Sequence, residues 1–141
     1  MRVADVMTKN VHVVSPQDTV AAVAQHMAEN DIGFLPVGDN DRLVGMITDR
    51  DIVVRCVAHG RDASTRVVDV MTSDVKYCFD DEELSDVAHN MGDEQVRRMP
   101  VVNRAKRLVG VISLADAAHA DPSLAGVGLQ GVTEPGGTHN Q

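Results

Sequence analysis

Aromatic residues are almost missing from this chain, which has one Tyr, two Phe and no Trp in 141 residues. An aromatic cage or a stacking platform for single-stranded nucleic acid has little to be built from, so a flat ring bound here has to lie on Val, Ile, Leu, Met or Pro. Cysteine is nearly as scarce. Cys56 and Cys78 stand without C-x-x-C spacing, which argues against a zinc site or a redox dithiol and reads as two small semi-buried hydrophobes. The histidines, His12, His26, His59, His89, His119 and His139, have no H-E-x-x-H or other ligand spacing, so no metal is expected. Without G-x-S-x-G or Walker A, no residue is assigned a catalytic role and the chain is not read as an enzyme. No apolar run approaches a membrane span, and Met1 to Asn10 has no charged segment leading into an apolar one. The expectation is a cytoplasmic protein with no membrane partner. Positive charge is also short. Against 21 acidic residues the 13 basic ones leave a net charge of -8, so nucleic acid is not an expected partner.

What the chain does have is a repeat. Val6-Met7-Thr8 returns as Val70-Met71-Thr72, and Val20/Leu84, Ala24/Ala88, Met27/Met91 and Pro36-Val37/Pro100-Val101 keep the same offset of 64. One residue is then added, so Leu43-Val44-Gly45 reappears as Leu108-Val109-Gly110, and Thr48 and Asp51 as Ser113 and Asp116. A repeat of this length marks a duplicated supersecondary unit whose copies bury their apolar faces together, and a binding site is expected in the crevice between them.

In the first copy the expected order is a strand at 11–14, a helix opening at Ser15-Pro16, strands at 34–37 and 43–47, and a helix from Asp49 to Ala58 stopped by Gly60. Gly38-Asp39-Asn40-Asp41 supplies the hairpin turn. In the second, strands fall at 75–78, 98–102 and 108–112, and helices at 81–92 and 114–120. Each copy is β-α-β-β-α, an α+β architecture. The domains are read as 1–60 and 67–120, joined by a linker at 61–66. From 121 to 141 the composition turns to Gly, Ser, Thr, Asn and Gln, so that tail is expected to be disordered.

The polar element that recurs is G-x-x-[T/S]-x-x-D, at Gly45 to Asp51 and Gly110 to Asp116. A hydroxyl three residues before an acid at a strand-to-helix junction is a capping box, and the same geometry turns amides and a hydroxyl toward an anion. Both readings stand at this point. Arg97-Arg98 favours the second, because guanidinium forks suit phosphate and this pair is the densest positive spot in an acidic chain. The first copy has Gly33-Phe34 there. Arg50, where the second copy has Ala115, is its substitute cation, so the two sites are expected to be unequal.

These motifs together resemble a tandem pair of cystathionine β-synthase (CBS) domains, a Bateman module, over about residues 1 to 120. The resemblance implies two units packed by pseudo-twofold symmetry into one module and a regulatory role in binding an adenosine ligand. AMP, ADP or ATP is the usual ligand, and NAD or S-adenosylmethionine a less frequent one. It implies a homodimer that signals through an interface with a protein still to be identified. A dimerisation or partner-binding module with decayed ligand sites is the alternative. Carried over residue by residue, the stronger site uses Thr8 and Val11 with Arg97, Arg98, Pro100, Ser113 and Asp116: Asp116 on ribose, Ser113, Thr8 and the arginines on phosphate, Val11 and Pro100 near adenine. The weaker site uses Thr72 and Val75 with Leu35, Pro36, Thr48, Arg50 and Asp51, and its Gly33-Phe34 departs from the phosphate-binding pattern.

Overall fold

The computed structural model describes residues 1–126. The chain divides into two compact units that do not coincide with the two sequence copies. One is continuous, His12–Val75. The other is split, joining Met1–Val11 to the chain from Lys76 onward. The opening eleven residues of the first copy thus fold with the second copy.

In the continuous unit, helix α1 (Val20–Asn30) starts at Thr19, whose Oγ1 accepts the Ala22 amide at 3.1 Å, and ends at Asp31 in the left-handed conformation. Its Val20, Val23 and Met27 are buried with Leu35, Val37 and Ile47 from the hairpin of β1 (Phe34–Asp39) and β2 (Arg42–Thr48). Asn40 and Asp41, both at positive φ (53° and 65°), make the expected tight turn. A short helix α2 (Asp49–Asp51) widens into a π turn (Ile52–Cys56), closes with a 3-10 turn (Val57–His59), and stops at Gly60, φ 72°.

The split unit repeats this plan with β3 (Cys78–Phe79), α3 (Leu84–Glu94), β4 (Arg98–Val102), β5 (Leu108–Ser113) and α4 (Leu114–Ala120). β3 runs parallel to β4 and β4 antiparallel to β5. Its core gathers Val3, Leu84, Val87, Ala88, Met91, Met99, Val101 and Ile112. Burial of that many aliphatic groups, at roughly 25 cal/mol per Å² of apolar surface, is the main term favouring each unit.

Two expectations are corrected. Both first helices start later than read, at Val20 rather than Ser15 and at Leu84 rather than Asp81. The reason is the same in each unit: backbone carbonyls from elsewhere claim the amides of the first turn. Val20 and Ala21 donate to Thr65 and Ala63 (2.8 and 3.0 Å), and Leu84 donates to Met1 (2.9 Å). Ser15 and Asp18 close a separate turn of their own, Asp18 Oδ2 accepting the Ser15 amide at 2.9 Å. The strands read at 11–14 and 75–78 shrink to Val14, bridged in parallel to Val37, and to Cys78–Phe79. The part of the expected tail at 121–126 begins with a 3-10 turn (Pro122–Leu124) that buries Leu124 in the core, and residues 127–141 lie outside the described residues.

One contact ties each opening segment to its sheet. Thr8 and Val111 exchange both backbone hydrogen bonds, at 2.9 and 3.1 Å, and Thr72 and Met46 do the same at 2.8 and 2.9 Å. A Cβ on Gly110 would lie 2.7 Å from Met7 Sδ and 2.8 Å from the Thr8 carbonyl oxygen, and one on Gly45 would meet Met71 and Thr72 at the same distances. Gly110→Ala is therefore expected to lower stability by about 1–3 kcal/mol, through overpacking against backbone that has no rotamer to change. Gly60→Ala, at positive φ with open space around its Cβ site, should cost about 1 kcal/mol. Urea denaturation of the three proteins gives the order.

Cys78 supplies a second test. Burial first, then the nearby Glu82 and Asp80 carboxylates, push its thiol from 9.0 up to about 12. The native chain keeps this proton above pH 9 while the unfolded chain loses it, so stability falls as pH rises from about 9 toward 12. Native Cys78 is expected to resist alkylation at pH 8 and to react only in denaturant, as read by mass spectrometry.

Candidate functional site

Each unit gathers one set of the sequence-derived residues. In the split unit, Thr8 pairs with Val111 and Val111 with Pro100, so these three form a row across the sheet. Arg98 stands opposite Ser113, and the Leu114 amide donates to the Arg97 carbonyl at 2.9 Å. Thr8, Arg97 and Arg98 are exposed, Ser113 and Asp116 half-buried and Pro100 buried. Val11 is half-buried, and among the described residues it makes no backbone hydrogen bond to the sheet.

Ser113 and Asp116 form a complete capping box. Ser113 Oγ accepts the Asp116 amide at 3.0 Å, and Asp116 Oδ2 accepts the Ser113 amide at 3.2 Å. The box engages one carboxylate oxygen. Asp116 Oδ1 takes no part in it, and Asp116 lines an open cavity of about 510 Å³ with Met1, Asp5, Val6, Ala115, His119 and Ala120, whereas Thr8, Val11, Arg97, Arg98, Pro100 and Ser113 are not among its lining residues. A carboxylate oxygen outside the box can accept hydroxyl hydrogen bonds from a sugar, and the guanidinium groups of Arg97 and Arg98 can meet an anion.

The continuous unit repeats the row as Thr72, Met46 and Pro36, with Phe34 opposite Thr48. Thr48 and Asp51 form the same reciprocal box at 3.0 Å in both directions, and they are the buried polar pair, 6% and 9% exposed. Leu35 is 1% exposed and belongs to the core, as Met99 does in the split unit. Two features differ. Asp51 Oδ1 lies 3.7 Å from Arg55 Nε, and Arg55 also donates to the Met71 carbonyl at 3.1 Å, whereas the split unit has Ala120 at the corresponding place. Arg50 is exposed at the start of α2, and its neighbour Asp49 lies against Gly33. Val75 is half-buried at the end of the unit.

Asp49 and Arg55 were not singled out from the sequence. The signal existed in the mismatches Asp49/Leu114 and Arg55/Ala120 between the copies. Met7 and Met71, read only as repeat markers, pack their sulfurs over the two glycines.

Several of the remaining polar groups have structural partners. In the acidic stretch Asp81 holds Arg104 through two bonds of 2.8 and 2.7 Å, which keep its carboxyl below the usual range, and Glu82 Oε2 accepts the Phe79 amide at 2.7 Å. His12 and His26 meet edge to face at 4.5 Å, a pairing the sequence did not suggest, and His26 Nε2 is buried without a partner among the described residues. Among these residues no group of three His, Cys, Asp or Glu is placed to hold a metal ion. No described helix is long and apolar enough to cross a membrane.

Comparison with known proteins bears on the family and the fold. Hypoxic response protein 1 of Mycobacterium tuberculosis is 42% identical over 123 residues, 86% of this chain and 85% of that protein. Its crystal structure with two coordinated zinc ions superposes with a TM-score of 0.77 at 38% identity, covering 85% of this chain and 98% of that one. CBSX2 in complex with AMP (TM-score 0.75, 28% identity) and the CBS domain pair of MJ0100 in complex with 5′-methylthioadenosine and S-adenosyl-L-methionine (0.75, 25%) each cover 87% of this chain and 97% of theirs. The CBS domain family model matches residues 3–57 and again 67–123, the two repeats that the internal symmetry delimits, and the chain therefore belongs to the CBS-domain family.

Proposed function

We propose that this chain is a regulatory module, not a catalyst, that binds an adenine nucleotide in its split unit and passes the occupancy on through a protein interface. The observation that carries the reading is the arrangement around Asp116. The box occupies one carboxylate oxygen and leaves Oδ1 outside it, while Arg98 stands opposite Ser113 on β4, Arg97 one residue before that strand, and Thr8 on the far side of β5. Asp116 would take the ribose hydroxyls, Ser113, Thr8 and the arginines the phosphate, and Val11 and Pro100 the base. AMP and S-adenosylmethionine complexes of related CBS pairs support an adenosine ligand. AMP, ADP and ATP fit the two arginines better than NAD or S-adenosylmethionine does. In the continuous unit Thr72, Val75, Leu35, Pro36, Thr48, Arg50 and Asp51 would form the weaker site.

Ligand acts on the conformational equilibrium only through its different affinity for two states, so the output requires a surface that the ligated state presents differently. Val53, Val54 and Val57, 59%, 41% and 64% exposed, give the continuous unit an apolar helical face, which we assign to a second copy of this chain. Two buried free thiols, Cys56 and Cys78, suit the cytoplasm. A second reading, a dimerisation or partner-binding module without ligand, has its own support, because capping alone accounts for Ser113, Asp116, Thr48 and Asp51.

Calorimetric titration of ligand-stripped protein with AMP, ADP, ATP, NAD and S-adenosylmethionine separates the two readings. Binding of at least one adenine nucleotide is expected, weakened tenfold or more by Asp116→Ala, which should also lose about 1 kcal/mol of stability with its cap. Arg97→Ala with Arg98→Ala should weaken AMP by about tenfold and leave adenosine unchanged. No heat with any of these ligands supports the ligand-free module. Sedimentation of Val53→Asp with Val57→Asp should show monomer where the wild-type chain shows dimer.

A further inference from the structure

The two units hold opposite charges on one backbone frame. In the split unit the Leu114 amide donates to the Arg97 carbonyl at 2.9 Å, and in the continuous unit the Asp49 amide donates to the Gly33 carbonyl at 3.0 Å. With Arg98 opposite Ser113 and Phe34 opposite Thr48, hydrogen bonding alone equates Gly33 with Arg97 and Asp49 with Leu114. A Cβ on Gly33 would sit 2.5 Å from Asp49 Oδ2 and 2.9 Å from its Cγ. The space into which position 97 sends an arginine stem is filled, at position 33, by a carboxylate.

Gly33 is thus more than a lost cation. It is the room that the Asp49 carboxylate occupies. Asp49 Oδ1 accepts the Arg50 amide at 2.8 Å, which fixes the group against the start of α2 with Oδ2 over Gly33. Neither Arg50 nor any other described cation forms an ion pair with it within 4.0 Å, and the nearby Arg55 is engaged with Asp51 and the Met71 carbonyl. A phosphate placed here as it would be placed by Arg97 meets a negative charge at short range. An uncharged thioether does not, and a sulfonium or ammonium group is attracted.

We propose that the continuous unit binds adenosine ligands whose 5′ substituent is uncharged or cationic and rejects 5′-phosphates, so that the two units of this chain take ligands of different charge. The inference rests on the adenosine-binding reading for the shared ribose and base positions, Asp51 and Pro36. It adds the charge selection, which Asp49 and Gly33 carry.

The full-length chain with Asp116→Ala closes the split unit and leaves the other to be titrated with AMP, 5′-methylthioadenosine and S-adenosylmethionine. Binding of the thioether or the sulfonium at least tenfold tighter than AMP is expected. Adding Asp49→Asn, which keeps the Oδ1 acceptor for Arg50, should narrow that preference fivefold or more, the sulfonium losing most. Amide resonances of Thr8 and Thr72 in the wild-type protein report each unit separately and serve if Asp116→Ala does not fold. AMP shifting Thr72 as strongly as the thioether does, a ratio unchanged by Asp49→Asn, or no ligand at all in the continuous unit overturns the proposal while AMP in the split unit still upholds the function above. A wild-type chain that binds none of the three in either unit overturns both.

Discussion

Thr8 and Val111 exchange both of their backbone hydrogen bonds beside Gly110, and the organisation of the molecule follows from that exchange and its counterpart, Thr72 with Met46 beside Gly45. Without a side chain at the glycine, the methionine sulfur and the threonine carbonyl approach to contact distance, and the opening segment becomes an extra edge to the sheet of the other copy. The sequence repeat and the folded unit are consequently out of phase. A cut at residue 60 or 66 divides the copies cleanly in sequence, yet it removes Val3 from the core it shares with Leu84, Val87 and Met91. It is this exchange that places Thr8 in a row with Val111 and Pro100, so that candidate residues from both copies meet within one unit.

The capping boxes set a second constraint. A carboxylate at the third position of a helix has two oxygens, and the box needs only one. In Asp116 the other oxygen stays outside the box, while in Asp51 it lies 3.7 Å from Arg55. The same local motif therefore leaves the second carboxylate oxygen beside a guanidinium in the continuous unit and, among the described residues, in no ion pair in the split unit. Capping and binding do not exclude each other at Asp116, because the box uses only one of its oxygens.

Much of this was legible in the sequence. The hairpin strands fall within two residues of their expected limits because the apolar runs are short, bounded by Gly and Asp, and paired locally. The helix starts were misread because a Ser-Pro-x-Asp signature reports only that a turn is capped, not whether its amides are free to continue a helix. Thr65, Ala63 and Met1 take those amides from far along the chain, and no local signal announces them. The candidate site residues were picked out through repetition, and repetition draws the eye to what is shared. Asp49 and Arg55 occur in one copy only, and their meaning depends on which atoms the fold brings beside Gly33 and Asp51.

The frame and the chemistry are separable, and burial shows where. Leu35 and Met99, Val37 and Val101, and Ile47 and Ile112 hold equivalent buried positions in the two units, and all are apolar. Replacing any of them creates a cavity or strain costing roughly 1–5 kcal/mol, which confines change there to similar shapes. Asp49, Arg50, Arg97 and Arg98, by contrast, are exposed. Surface substitutions of this kind usually change stability by no more than about 0.5 kcal/mol, so charge at these positions is free to diverge while the backbone bond from 49 to 33, or from 114 to 97, stays in place. A duplicated fold built this way can come to hold a carboxylate in one unit where the other holds a guanidinium, because these exposed positions carry almost none of the folding energy.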